Sequence, residues 1–314
     1  MKAITWANIS SFIIAIILAL IFGLSYHNGN QNIGAHPEIK HSDKATTIAD
    51  ATGHIVKIRN FQRIVSQSPI ADRLLFELCE PNRIITFSPY GAQQSPWGYQ
   101  YVGKNISANI AEPETIFTLV PDLVLVNSSG SSNARSVARL REAGIEVFDL
   151  GEMHGVESLI QQAHQIAKLI GHNDRGLRFT KSFLRRLRSI AATLDITSRK
   201  RAIYLATMGS TLFGGTIGTS YHDILTYAGL IDVAALNNYQ AWPHYRTEDI
   251  LTLAPEIIVT KNGMKQFICQ HSGLKNLSAC TKDGQIIELP SQLIDNAGPA
   301  MLDAAELLFA AVYE

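Results

Sequence analysis

A chain of 314 residues with an apolar fraction of 46% is long enough for two domains, and its composition is that of an ordinary globular protein rather than a disordered or fibrous one. Its 27 basic and 27 acidic residues cancel, so nothing recommends nucleic acid as a partner.

After Lys2 the segment ITWANISSFIIAIILALIFGL is apolar and uncharged, and the polar tract SYHNGNQNIGAHPEIKHSDK follows. This is the pattern of an export signal. Gly23 and Ser25 supply the small residues a signal peptidase reads, and the apolar segment is also nearly long enough to span a bilayer uncleaved. Residues 1–25 are therefore expected to be a signal peptide or membrane anchor, and 26–45 a flexible tether. The next cysteine is Cys79, so an anchor of the lipoprotein kind is not expected.

Beyond the tether the pattern predicts a strand over 64–67, a helix over 69–79 with Ser68 as cap and Pro69 as first residue, and a strand over 83–87. The segment ETIFTLVPDLVLVN from Glu114 then matches EDILTLAPEIIVTK from Glu248 without a gap. Each copy reads as a short helix stopped before a proline, then a β-branched run of the kind buried in a parallel sheet. A helix over 133–143 and a strand over 146–149 follow the first copy. Around the second lie a strand over 202–206, a helix over 221–228, a strand over 286–289 and a final helix over 299–313. Between the two sets, apolar residues from Leu177 to Leu194 recur at mostly helical spacing. A helix over 174–194 would reach about 30 Å and serve as a strut. Its basic cluster of Lys181, Arg185, Arg186 and Arg188 reads as a solvated face. The expected fold is α/β: two doubly wound parallel-sheet lobes, 46–171 and 198–314, joined by one long connecting α-helix within 172–197, with a ligand cleft between the lobes.

The stretch GGTIGTSYHDILTYAGL places Ser220, His222 and Asp223 within four positions. Members of a hydrolytic triad normally come from separate parts of the chain, so local spacing argues against catalysis. The expected structure is a helix with Ser220 as N-cap, Asp223 at the capping-box position and Gly229 at the C-terminal cap. In an oxidising compartment Cys269 and Cys280 are expected to form a disulfide, two separate buried thiols being the alternative. Cys79 is expected to be a packed core thiol.

Taken in order, TTIADATGHIVKI, QRIVSQSP, EPETIFTLVPDLVLVN, AWPHYRTEDILTLAPEIIVT and IELPSQLIDNAGPAMLDAAELL resemble the helical-backbone class of periplasmic substrate-binding proteins. The likeness covers roughly 46–314. It implies a receptor that hands a ferric siderophore, haem or cobalamin to the permease subunits of an ABC importer, with no catalysis and no resident cofactor; the chain is expected to be a monomer. It implies that Glu114 and Glu248 dock against permease arginines, where first-turn carboxylates suit both the helix dipole and a two-fold partner; the alternative is that both merely stabilise helix starts.

Aromatic cleft loops suit a large flat ligand, and Tyr90, Trp97, Tyr221, His222, Trp242 and Tyr245 are the candidate contacts; the alternative is that some of these pack the lobes internally. Cobalamin binders of this class tend to carry an aromatic where this chain has NSSGSS, which weighs against cobalamin. Arg246 is the clearest cation for a siderophore, while Tyr221, His222, His244 and Tyr245 are possible iron ligands for haem. No HExxH-like cluster suggests a bare metal ion. The competing readings are a membrane-anchored accessory or sensory receptor of the same fold, and a hydrolase using His222.

Overall fold

The computed structural model describes residues 46–314 apart from 90, 92–97, 107–109, 128–132, 272, 276 and 282–284. The expected signal or anchor, the tether, Tyr90 and Trp97 therefore lie outside the described residues. Among the described residues no helix is long and apolar enough to cross a membrane.

An antiparallel hairpin, β1 (Thr47–Ala49) and β2 (Ile55–Lys57), opens the first lobe. The lobe then alternates β3 (Ile64–Ser66), α1 (Pro69–Leu78), β4 (Ile84–Thr86), α2 (Pro113–Thr118), β5 (Leu123–Val126), α3 (Ala134–Glu142) and β6 (Val147–Asp149). Two helices follow, α4 (Val156–Leu169) and α5 (Asn173–Ile190). The second lobe has β7 (Arg201–Tyr204), β8 (Ala206–Met208), β9 (Thr211–Phe213), α6 (Ser220–Tyr227), β10 (Ile231–Asp232), α7 (Val233–Leu236), β11 (His244–Tyr245), α8 (Thr247–Leu253), β12 (Ile257–Lys261), α9 (Lys265–Gln270), β13 (Gln285–Leu289), α10 (Ser291–Ile294) and α11 (Ala300–Tyr313).

The first sheet is parallel in the order β4-β3-β5-β6 and the second is parallel in the order β10-β7-β12-β13. In both, the first strand of the parallel sheet sits between the second and the third. That order makes each sheet doubly wound, with a switch point beside the first strand, where a ligand crevice forms at the strands' carboxyl ends.

The matched segments correspond in structural detail as well as in sequence. Ile64 pairs with Leu123 as Ala202 pairs with Ile257. Val120 and Ala254, each just before the proline, adopt left-handed φ of 46° and 43°. Asp122 accepts the backbone N–H of Arg63 at 2.8 Å, and Glu256 accepts that of Arg201 at 2.8 Å. The two arginines in turn donate to helix-end carbonyls, Arg63 to Leu119 at 2.6 Å and Arg201 to Leu253 at 2.7 Å. A charged group thereby satisfies orphan carbonyls at the end of α2 and α8 and fixes each helix to its sheet.

Side-chain alternation along the strands divides the core. Leu123 and Leu125 of β5, with Ile257 and Val259 of β12, face one hydrophobic cluster that runs through α1, α4, α5, α6 and α11. Val124 and Val126 face a separate outer cluster of the first lobe, and Ile258 an outer cluster of the second. The two sheets thus share an interior through Phe183 and Leu187 of α5. Burying each large aliphatic side chain contributes about 1.5–3 kcal/mol.

Gly209, with φ of 62°, turns β8 into β9, and β11 extends the pair into an antiparallel sheet beside the parallel one. Two expectations need correction. Helix α5 ends at Ile190 rather than 194, because Ala191 and Leu194 turn in against Gly229, where an added Cβ would meet them at 2.9 and 2.8 Å. Its buried face is Gly176, Thr180, Phe183 and Leu187, and Leu177 is exposed.

Charge secures the start of α5. Burial opposes ionisation of Glu80, but hydrogen bonds from His172 and Arg83 outweigh it and hold the carboxyl at about 2, and Arg175 adds an ion pair at 2.6 Å. Cys269 and Cys280 are disulfide-bonded with Cα atoms 5.6 Å apart. Cys79 is a buried free thiol.

Candidate functional site

A cavity of about 790 Å³ opens between the lobes. Its walls come from segments that directly follow strands: Pro69 and Ile70 after β3, Asn127 after β5, Gly151 to His154 after β6, and Ser291 to Ala297 after β13. Gly218 to Tyr221 at the start of α6, and Trp242, complete it. The volume lies in the usual range for a small-molecule site.

The aromatic wall is built outward from the core. Tyr204 at the end of β7 is fully buried, and Tyr221 stacks on it with ring centroids 3.7 Å apart. Trp242 meets Tyr221 edge-on at 5.3 Å and is 55% exposed. The Tyr221 hydroxyl donates to Asp295 Oδ1 at 2.9 Å, and Lys261 Nζ lies 3.5 Å from Asp295 Oδ2. Burial, then the neighbouring Tyr204 and Asp295, push the Tyr221 hydroxyl far above its ordinary value. It is a phenol that donates its hydrogen bond to Asp295.

His222 and Tyr245 do not line the cavity, contrary to the expectation for them. The His222 Nδ1–H donates to Asp232 Oδ2 at 2.8 Å. Asp232 is buried, accepts the Thr216 hydroxyl at 2.6 Å, and caps α7 through the N–H groups of Ala234 and Ala235. The hydrogen bond to Asp232, partly offset by burial, raises the His222 pKa. Tyr245 is buried in the outer cluster of the second lobe against Tyr239. His244 is exposed on β11, and Arg246 is exposed and paired with Asp249 at 3.0 Å; neither reaches the cavity.

The expected helix cap is also different. Thr219 is the N-cap of α6 and Ser220 its first residue. Asp223 turns away from its own helix and accepts the Val156 N–H at 2.6 Å. His222 and Asp223 thus serve two separate structural contacts.

Glu152, His154, Gln292, Asp295 and Asn296 are cavity residues that sequence reasoning missed. The rule that ligands sit beyond strand carboxyl ends marks GEMHG after β6 and SQLIDN after β13. Glu152 Oε2 lies 3.5 Å from His154 Nε2. Two carboxylates therefore line the cavity, and no arginine or lysine is among the described lining residues.

Ser88 and Tyr101 are both held by one buried carboxylate, Asp72. The Ser88 N–H donates to Asp72 at 3.1 Å and the Tyr101 hydroxyl at 3.2 Å. Burial pushes Asp72 up to about 6, against these hydrogen bonds. The contact is tight enough that a Cβ at Gly91 would collide with the carboxylate.

The family model for periplasmic binding proteins matches residues 88–293. An uncharacterised ABC transporter substrate-binding lipoprotein of Bacillus subtilis is 23% identical over 273 residues, covering 85% of this chain and 85% of that protein. A cobalamin-binding protein of Halobacterium salinarum is 23% identical, covering 77% of this chain and 67% of that protein. Among solved structures, a periplasmic haem-binding protein of Roseiflexus aligns with a TM-score of 0.66 at 19% identity, covering 80% of this chain and 98% of that one.

Proposed function

The chain belongs to the periplasmic binding protein family, and on that premise we propose that it is the exported receptor of an ABC importer and that its cargo is a corrinoid. The charge of the cavity carries this reading. Glu152 and Asp295 line it with no arginine or lysine among the described lining residues, and Lys261 pairs with Asp295 at 3.5 Å from outside that lining. Haem brings propionates and many ferric siderophores bring net negative charge, and either would place anions against carboxylates at a cost in desolvation and repulsion. A corrinoid presents a ring of amide side chains around a flat macrocycle. Such amides can donate to Glu152 and exchange hydrogen bonds with Gln292, while Tyr221 and Trp242 give the ring an apolar face. The names of the cobalamin-binding relatives support the same reading.

The fate of the nearest iron ligands also supports it. Of Tyr221, His222, His244 and Tyr245 only Tyr221 lines the cavity, and its hydroxyl is committed to Asp295. His154 is the remaining imidazole there, beside Glu152. The serines of NSSGSS at 128–132 that weighed against cobalamin fall outside the described residues.

Titration of the purified protein with cyanocobalamin, haemin and an anionic ferric tricatecholate tests the cargo. We expect one-to-one binding of cyanocobalamin with Kd of about 1 μM or tighter, near −8 kcal/mol, and at least tenfold weaker binding of both anions. Preference for haemin would sink the corrinoid reading. Trp242→Ala is expected to weaken cyanocobalamin about tenfold, or about 1.4 kcal/mol, and to leave the melting temperature nearly unchanged because the ring is half-exposed; calorimetry and thermal denaturation check the two halves of that statement.

We further propose that lobes 46–171 and 198–314 each offer one carboxylate to the permease. Glu114 and Glu248 lie in the first turns of α2 and α8, both exposed. Arg139 lies 3.5 Å from Glu114, an exposed pair weak enough to yield to a partner's arginine.

A further inference from the structure

We infer that Asp223 is a positioning residue of the cleft: its carboxylate, carried by a helix of the second lobe, holds the first lobe at the separation that shapes the cavity. Val156 is the first residue of α4, and its N–H donates to Asp223 Oδ2 at 2.6 Å across 67 positions of sequence. A free N–H at a helix start needs a partner, and an anion there is favoured by the helix dipole. The partner comes from the opposite lobe, so the two elements are fastened to each other.

The joint is fitted closely. Gly155, the N-cap of α4, has φ of 142° and ψ of −153°, a conformation that a residue with a side chain rarely adopts. A Cβ there would collide with Asp223 Oδ2, so only glycine lets the carboxylate approach. The residues on either side of the joint belong to the cavity: Met153 and His154 precede Gly155, and Ser220 and Tyr221 precede Asp223. Ser158 completes the helix start, accepting the His154 N–H at 2.9 Å and the Gly155 N–H at 3.1 Å. The groups facing Asp223 are His222 on its own helix and Val156 and Glu157 on α4. On a further wall of the cavity a second close approach, Gly298 against Ile70, also joins the lobes. The cleft is thus bracketed, and the hydrogen-bonded joint is the one that a single acceptor controls.

The inference rests on the cleft reading but not on the cargo's identity. It is tested on the full mature chain by amide hydrogen exchange, small-angle scattering without ligand and the dissociation rate of cyanocobalamin, in Asp223→Ala and Asp223→Asn. Asn keeps an acceptor for the Val156 N–H and removes the charge. In Asp223→Ala we expect exchange of the peptide containing Val156 to speed up at least tenfold, a larger radius of gyration, and cyanocobalamin release several-fold faster. Asp223→Asn restores all three to near the wild-type values, whereas β5 and β12 keep their protection in both variants. Unchanged exchange at Val156 in Asp223→Ala overturns the inference, and so does loss of protection throughout β5 and β12, which would mark general destabilisation. If the wild-type protein fails to bind cyanocobalamin, the corrinoid reading falls, while the exchange and scattering measurements still decide the joint.

Discussion

Replacing Glu114 and Glu248 together by alanine is expected to abolish stimulation of the importer's ATPase by the loaded receptor, with cargo affinity changed less than twofold. Each carboxylate sits at the same place in a repeated module, and each module is fixed to its sheet by an arginine, Arg63 in one and Arg201 in the other. Each helix is therefore held to its own sheet, and the two charges present the same module to a partner with matching symmetry. Truncating an anchor of an interface typically costs about 2 kcal/mol or more, so each single variant should lose most of the stimulation and the pair essentially all of it. Neither residue lines the cavity, which is why binding should survive. ATPase assays with the host's importer in proteoliposomes, beside calorimetric binding, provide the check; undiminished stimulation by the double variant would rule out this docking mode.

Asp232→Ala is expected to cost about 3–5 kcal/mol of stability, the range for leaving buried polar partners without their charge. One carboxylate accepts four hydrogen bonds, from Thr216, His222, Ala234 and Ala235. Removing it strips the cap from α7 and leaves the Thr216 hydroxyl, which is fully buried, without its acceptor. His222→Ala should cost only about 1 kcal/mol, since it removes one contact of a half-buried ring. The pH dependence follows from the raised His222 pKa. Its stabilising contribution is fully present below the ordinary histidine value near 6.5 and fades as pH rises through the higher folded value. Asp232→Ala should remove that dependence; chemical denaturation between pH 5 and 9 measures both effects, and an unaltered pH profile in Asp232→Ala would contradict the assignment.

Much of the fold was legible because the chain punctuates it. Ser68–Pro69 marks the start of α1, and proline after each copy of the repeated helix marks the strand behind it, so the paired segments align on residue identity and spacing alone. The β8–β9 hairpin was not legible, since each strand is three residues long and the third strand of its sheet, β11, comes more than thirty positions later. The site was harder. Tyr221 stood out as an aromatic at a helix start and Trp242 as one in a loop, but nothing local shows that His222 turns toward Asp232 or that Tyr245 faces inward. Those directions are set by which side of a helix or strand meets the core. Glu152, His154 and Asp295 were missed because they carry no motif. Strand order brings them together, and it becomes visible only when both switch points are known.

The shared interior has a consequence for how the molecule is made. Phe183 and Leu187 join the inner faces of both sheets into a single cluster, so neither half can hide its oil alone. The final helix, through Met301, Leu308 and Val312, closes that cluster, so the shared interior is complete only once the last residues have been made. An export route that keeps the nascent polypeptide unfolded would find such late closure an advantage.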